Sequence, residues 1–482
     1  MSAKKRHGWG KLLSFLLAGL GWCWLAVPAR AELVLQGVYS STASSAAMPF
    51  SELVQAGDGN FYGTVRGNNY NSFGSIFRLT PAGTLTTLVT FYGGNGKNPE
   101  GGLLLARDGN LYGTTYTGGA HNLGILFRLT PAGVFQILRA FSGTDGASPT
   151  GTLIQANDGL LYGVTAGYLT NPAAIFRATT GGTVTILTNL ESALPAAGAM
   201  PGDGLVQGPD GWLYGTARIS SAGKTRELIG AIYKVSTNGT FQTLAWFRDP
   251  LGTPLPGGIG DRPIGGLTAG PDGFLYGTLG HTIQLSLSYP ATNHGTVFQM
   301  TTNGVMTTLV RFAGTNGSNP MTRLLLARDG AFYGLTAEGG ATDNGTLFRV
   351  TTNGVLTKLI DGVGGDDADR GPGPLIQAAD GNFYGTGWGR APWVSSGTPS
   401  AAFVYRLVSP PAMTGQTMAS SRVALTWSSF PQASYQVAYK DSAEATNWTS
   451  LGSPIVATGT TTSVSFGLSE VPQRFYRVVL LP

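Results

Sequence analysis

Short apolar runs separated by glycine-rich turns recur along almost the whole chain. The stretch from Gly102 to Phe141 is typical: "GLLLAR", the pair Asp108-Gly109, "LYGTT", then "GILFRLT", a "TPAG" turn and "VFQILRAF". Apolar runs this short, bounded by turn chemistry, predict strands rather than helices. The unit reads as four strands, the first paired with the second across Asp-Gly and the third with the fourth across the "TPAG" turn. Asp-Gly is expected to form a tight hairpin in which both residues tolerate positive φ, and in the second turn asparagine or glycine is expected to take the left-handed position.

The same word begins at Asp58, Asp108, Asp158, Asp210, Asp272, Asp329 and Asp380, at spacings of 50, 50, 52, 62, 57 and 51 residues. A leucine stands five residues before each aspartate, from Leu53 to Leu375, and a proline nine before it in six of the seven copies, from Pro49 to Pro320. A fixed period of this length signals an array of one supersecondary unit. The two ends of the array then decide its form. Strand "AAFVYRL" of the seventh unit runs into "VSPPAM" with no fourth strand after it, while "ELVLQGVYS" near the start matches a fourth strand. The expected fold is therefore all-β: a seven-bladed β-propeller over residues 32–408, closed by an N-terminal strand lying beside Phe403 to Leu407. The recurring tyrosines (Tyr62 to Tyr384) and third-strand aromatics (Phe77 to Tyr405) are expected to pack between blades, the alternative being an aromatic platform for sugars.

Past the propeller the word disappears. "RVALTWSS" alternates Val423, Leu425 and Trp427, and "SYQVAYKD" alternates Tyr435, Val437 and Tyr439. Residues 409–482 are expected to form a small antiparallel sandwich, and they resemble a fibronectin type III-like module. The words "GxLFRLTPAGxxxxL" and "LxxxxDGNLYGTTxxGG" resemble the GloVer (Gloeo/Verruco) tandem repeats of exported bacterial proteins, over roughly residues 33–408. That resemblance implies export and a repeat array, often with a surface anchor, of which this chain shows none. It implies no catalytic motif.

Composition sharpens this picture. Lys4, Lys5, Arg6 and Lys11, an apolar run from Leu12 to Val27, and Ala29-Arg30-Ala31 make residues 1–31 an expected secretory signal peptide; the run is too short for a membrane anchor. Lipidation is not expected, because bulky Trp22 precedes Cys23. Removing residues 1–31 takes away five cations and no acid, so 30 basic against 25 acidic residues becomes 25 against 25. The basic balance thus belongs to the leader, and a nucleic-acid partner is not expected. The one cysteine leaves too, which removes disulfides and thiolate chemistry. With 73 glycines and only 11% charged residues, the composition suits turns between apolar strands. The product is expected to be periplasmic or extracellular, monomeric and without a membrane span or cofactor.

Candidate chemistry is sparse. Ligands of propellers gather at the axial channel, and of the fourteen residues six or seven before the aspartates, expected at its mouth, seven are glycine. The charged exceptions are Glu52, Asp203 and Arg323, with Glu100 eight before its own aspartate. Carboxylates beside a guanidinium suit a polar ligand or an acid and base pair; the alternative is a solvated rim of ion pairs. His121, His281 and His294 lie in loops of two distant repeats, so zinc is not expected. Asp366, Asp367 and Asp369 offer oxygens for calcium without a full ligand series. "GGNGKNP", "GTDGASP" and "GTNGSNP" read as turns, and no nucleophile elbow, phosphate loop or dinucleotide fingerprint occurs. The expected function is non-catalytic binding or scaffolding, with a polysaccharide or a surface protein as partner. The alternative is a polysaccharide lyase or hydrolase working through Glu52, Asp203 and Arg323.

Overall fold

The computed structural model describes residues 34–40, 51–67, 72–167, 171–194, 199–219, 228–248, 263, 265–280, 294–363, 373–389, 401–408, 413–419, 422–429, 434–442, 444–445, 447–459, 461–467 and 474–480. The expected leader therefore lies outside the described residues. The chain divides into two compact units, a larger one of Gln36–Gln377 with Phe383–Arg406 and a smaller one built mainly of Leu407–Pro482.

The larger unit is all-β and repetitive. In the second repeat the strands are Leu104–Leu105, Leu111–Thr115, Ile125–Leu129 and Phe135–Ala140, hydrogen-bonded in that order. Among the described residues the repeats form seven antiparallel sheets, six of four strands and one of five. Leu190–Ala193 is the one helix there, and no described helix is long and apolar enough to cross a membrane. The segment Val34–Ser40 is the edge strand of a sheet whose other members are Ala401–Val408, Phe383–Gly389 and Ile376–Gln377. First strands are mostly shorter than their apolar runs, two residues in five of the seven repeats.

The turn chemistry differs from expectation. Gly109 N–H donates to Ala106 O and Ala106 N–H to Asn110 O, so the loop is one residue longer than a two-residue hairpin. Only Gly109 is left-handed (φ 78); Asp108 keeps negative φ, and so do its counterparts. A type I turn followed by a left-handed residue needs only that one special position. The aspartate serves another purpose. Its Oδ1 accepts the Asn110 N–H at 3.0 Å and its Oδ2 accepts the Tyr112 hydroxyl at 2.7 Å. The tyrosine-to-aspartate bond recurs from Tyr62, Tyr162, Tyr214, Tyr276 and Tyr333. Burial pushes Asp108 up, but the bonds from Tyr112 and Asn110 outweigh it and hold the carboxyl below its usual range. Burial and the same bond push Tyr112 up to about 12. The third-to-fourth-strand turns follow the same plan, with glycine rather than asparagine left-handed, as at Gly304 (φ 92).

The glycine after each tyrosine has a different cause. A Cβ at Gly113 would lie 2.5 Å from Cζ of Phe127 on the neighbouring strand, and every repeat reproduces this approach, down to Gly385 against Tyr405. The third-strand ring lies on bare backbone. Recurring tyrosines and third-strand aromatics are all buried, at most 8% exposed, so they form core between sheets and cannot be a sugar platform.

Neighbouring repeats join through a repeated set of contacts. Tyr62 and Ile76 share a core with Leu111, Ile125 and Phe127 of the next repeat. Tyr276 packs on Phe332 with ring centres 4.1 Å apart, and Tyr333 on Phe383 at 4.4 Å. Thr64 Oγ1 donates to Gly101 O at 3.0 Å, and Thr278 Oγ1 to Thr322 O at 3.3 Å. Gln155, Gln207 and Gln377 accept backbone N–H groups of Arg107, Asn157 and Arg328 in the preceding repeats. The same ring pair and the same threonine bond link the last repeat to the first: Tyr384 on Phe61 at 4.3 Å, and Thr386 Oγ1 to Ser51 O at 3.4 Å.

In the smaller unit, Met413–Ala419, Arg422–Ser428 and Thr461–Gly467 form one sheet; Thr449–Val456, Ser434–Lys440 and Phe475–Leu480 form another. The predicted alternation is what builds its core, where Val423, Leu425 and Trp427 meet Tyr435, Val437 and Tyr476.

Gly113→Ala is expected to lower stability by about 1–3 kcal/mol, the usual cost of forcing an extra carbon into a packed core. In a Phe127→Leu background the same change should cost clearly less. Urea titration of the four proteins of this cycle checks it, and equal costs in both backgrounds would show that the ring does not require the gap.

Candidate functional site

The start of each first strand is crowded by its neighbours. A Cβ at Gly101 would stand 2.1 Å from Gly151 O, and one at Gly265 2.7 Å from Thr322 O. Close approach of backbones from successive repeats is what confines these positions to glycine. Elsewhere the register holds Ser51, Thr152, Thr322 and Pro374, and charged side chains stand where they can find one another.

That happens at the charged exceptions. Arg323 Nη2 of the sixth repeat donates to Glu52 Oε2 of the first, with side chains 22% and 19% exposed. Asp203 of the fourth repeat sits in their field. A Cβ at Gly266 would be 3.5 Å from both Asp203 Cβ and Arg323 Cδ, so the missing side chain leaves room for the two. Burial pushes the Asp203 carboxyl up, Arg323 pulls it down and Glu52 raises it again, leaving it at about 6. Glu52, and to a smaller extent Asp203, hold Arg323 above its ordinary value against desolvation.

Beside the pair lies a cavity of about 250 Å³, lined by Glu52, Val206, Leu267, Thr268, Arg323 to Leu326 and Leu375. Five repeats contribute to it. Thr268 joins it from outside the charged set, and the sequence carries a signal for it: four residues before the aspartate the other repeats carry only valine, leucine or isoleucine. Its hydroxyl donates to Leu324 O at 2.5 Å, which ties adjacent first strands together.

The other candidates lie apart from this cluster. Glu100 pairs with Arg66 at 3.1 Å, and burial raises its carboxyl against the pull of that guanidinium; it is not a member of the Glu52 group, because its side chain is held by its own ion pair. His121 is exposed, and His294 Nδ1 stands 3.2 Å from Ser318 Oγ. His281, Asp366, Asp367 and Asp369 fall outside the described residues, among which no metal-binding group of three occurs. The "GTDGASP" loop and its relatives are turns: Asn95, Asp145 and Asn316 accept the N–H three residues earlier, from Tyr92, Ser142 and Ala313.

A model of the Gloeobacter/Verrucomicrobia repeat matches residues 29–226 and 230–398. A search of curated sequences finds no match. Among solved structures, similarity extends to a gluconolactonase from Xanthomonas campestris (12% identity, 77% of this chain and 100% of that one, TM-score 0.39). It extends also to a functionally unknown protein from Desulfotomaculum acetoxidans (15%, 67% and 88%, TM-score 0.43) and to a mutant of AofleA from Arthrobotrys oligospora (11%, 68% and 89%, TM-score 0.38). Similarities this weak carry no argument about chemistry.

The electrostatics yield a pH signature. The native state keeps the Asp203 proton up to about pH 6, whereas the unfolded chain releases it near 3.8. Between those values the native state binds more protons, so this carboxyl lowers stability as pH rises through the window. Relative to wild type, Asp203→Asn should therefore gain melting temperature as pH rises from 3.8 to about 6 and level off above. A difference that stays flat across the window in thermal melts would contradict the placement of Asp203.

Proposed function

Given a chain that belongs to the Gloeobacter/Verrucomicrobia repeat family, we propose that it is an exported, non-catalytic binding protein: a seven-bladed β-propeller that takes a glycan or a partner protein at the Glu52–Arg323 cavity. Residues 1–31 are the leader in this reading, the product is a periplasmic or extracellular monomer, and residues 409–482 are a fibronectin type III-like spacer.

The observation that carries the reading is the direct bond between Arg323 and Glu52, which are 271 residues apart. In an open array each repeat touches only its neighbours, and four repeats separate these two in sequence. Their meeting supports a closed ring, as does the recurrence of the threonine bond and ring pair between the last repeat and the first. Closure gathers first strands around one cavity, the concave feature that ligand sites use. Binding is favoured over catalysis because Glu52 and Arg323 engage each other. A guanidinium bonded to a carboxylate already has part of its charge compensated, so it has less to offer a developing negative charge.

The second reading has one specific support, Asp203 at about 6, a value at which a carboxyl exchanges its proton near neutral pH. It would be the acid of a polysaccharide hydrolase or lyase.

Two experiments test the proposal. Deleting residues 33–40 should expose a sheet edge and lower the melting temperature, and a peptide of those residues should restore it; an unchanged melt would refute closure. A thermal-shift screen of the exported protein against polysaccharides should show stabilisation by at least one of them, since a ligand specific to the native state stabilises by mass action. Turnover of any polysaccharide, lost in Asp203→Asn, would replace the binding reading with the enzymatic one.

A further inference from the structure

Three described loops of the larger unit share one frame. In residues 92–98, 142–148 and 313–319 two glycines exchange backbone hydrogen bonds, Gly93 with Gly96, Gly143 with Gly146 and Gly314 with Gly317. The last residue of each, just before a proline, is left-handed, at φ 55, 54 and 57. On this constant frame the side chains differ. Tyr92 stands where the other two loops have Ser142 and Ala313, and Lys97 where they have Ala147 and Ser318. The carbonyl that accepts the last N–H of the loop belongs to Phe73, against Leu123 and His294 in the copies. One loop thus departs at three positions.

The three side chains lie together. A Cβ at Gly93 would be 3.8 Å from Phe73 and one at Gly94 3.0 Å from Tyr92, so both rings border the same pair of glycines. Lys97 Nζ lies 4.7 Å from the centre of the Phe73 ring. An aromatic face attracts a cation without neutralising it. No described carboxylate reaches this ammonium, and Glu100, the nearest in sequence, is paired with Arg66. Tyr92 is 70% exposed, more than any other large apolar side chain among the described residues. A lone exposed ring is ordinary; beside a second ring and an ammonium without a counter-charge, it offers an apolar face and an unanswered charge at one place.

The bonding of the loop narrows the partner. Tyr92 N–H goes to Asn95 Oδ1 at 2.8 Å, Lys97 exchanges backbone bonds with Thr117, and Gly93 O accepts from both Gly96 and Gly119. With these backbone groups engaged, a peptide finds no strand edge to extend. The balance of 25 basic against 25 acidic residues beyond residue 31 offers no basic field for a nucleic acid. A uronic acid needs neither, since it carries an apolar C–H face and a carboxylate in one unit.

We infer that Phe73, Tyr92 and Lys97 form a second binding site that takes a uronic acid unit of an acidic polysaccharide. The sugar's C–H face lies on Tyr92, its carboxylate meets the Lys97 ammonium, and Phe73 holds that ammonium in place. None of the three lines the Glu52–Arg323 cavity, so this site works whether or not that cavity is filled.

Calorimetry on the exported protein tests this with trimers of galacturonate and of mannuronate, the methyl ester of each, and triglutamate as probes. At least one acid trimer should bind roughly three- to fivefold tighter than its uncharged ester, the gain that an exposed ion pair gives. The difference should vanish in about 0.5 M salt, which screens it. Lys97→Gln should erase the preference and leave ester binding in place, whereas Tyr92→Ala should weaken acid and ester alike. Neither side chain is buried, and melts of both variants check that they fold. Equal binding of acid and ester, or acid binding that survives both substitutions unchanged, overturns the inference. Triglutamate binding as tightly as the acid trimers shows that charge alone is read, and overturns it too. If no trimer binds, this site falls, while the cavity, tested by the wider polysaccharide screen, keeps its own reading.

Discussion

The far end of an aromatic ring pressed against bare backbone is the contact on which the rest of this protein depends. In every repeat the third-strand phenylalanine or tyrosine covers the glycine that follows the recurring tyrosine. Any larger residue there would collide with the ring. The gap lets the ring sit low on its own sheet, and low rings let the next sheet approach until its tyrosines and phenylalanines interdigitate, as Tyr276 does with Phe332. Buried aromatics of this size each contribute a few kcal/mol, so a stack of such interfaces has ample driving force. What it requires is uniform spacing, and the seven copies of one word provide that.

The polar letters of the word serve the same end. An aspartate that takes both a backbone N–H of its turn and the hydroxyl of a tyrosine four residues on fixes the turn to the core ring. Burying that hydroxyl without a partner would be costly, so the pair explains why tyrosine recurs at this position where phenylalanine would pack as well. In the first and fifth copies the threonine that ends the word reaches the start of the next repeat's first strand. One seven-residue phrase therefore specifies a turn, a core position, a gap and an interface.

Crowding of first strands is also what makes the site possible. Where backbones press together, glycine is required, and a charged side chain survives only by meeting its opposite from another repeat. Glu52 and Arg323 do so directly. Asp203 meets them through the field alone, which is why its carboxyl, unlike that of Asp108, rises instead of falling. Hydrogen bonds to the ionised form make the difference: Asp108 has three and Asp203 has none.

The sequence by itself determined the repeat, its four strands, the pairing across each turn and the alternation behind the core of the smaller unit, because all of these depend on local periodicity and on turn residues close together in the chain. It also pointed to Glu52, Asp203 and Arg323 as departures from a glycine register. Only the tertiary structure decided that Glu52 and Arg323 touch while Glu100 turns to Arg66, that Thr268 lines the cavity, and that the turn aspartates bind tyrosine hydroxyls rather than adopting a left-handed backbone. Those outcomes depend on which side chains meet across strands and repeats, some of them 271 residues apart, and on how far each is removed from water, neither of which a local pattern encodes.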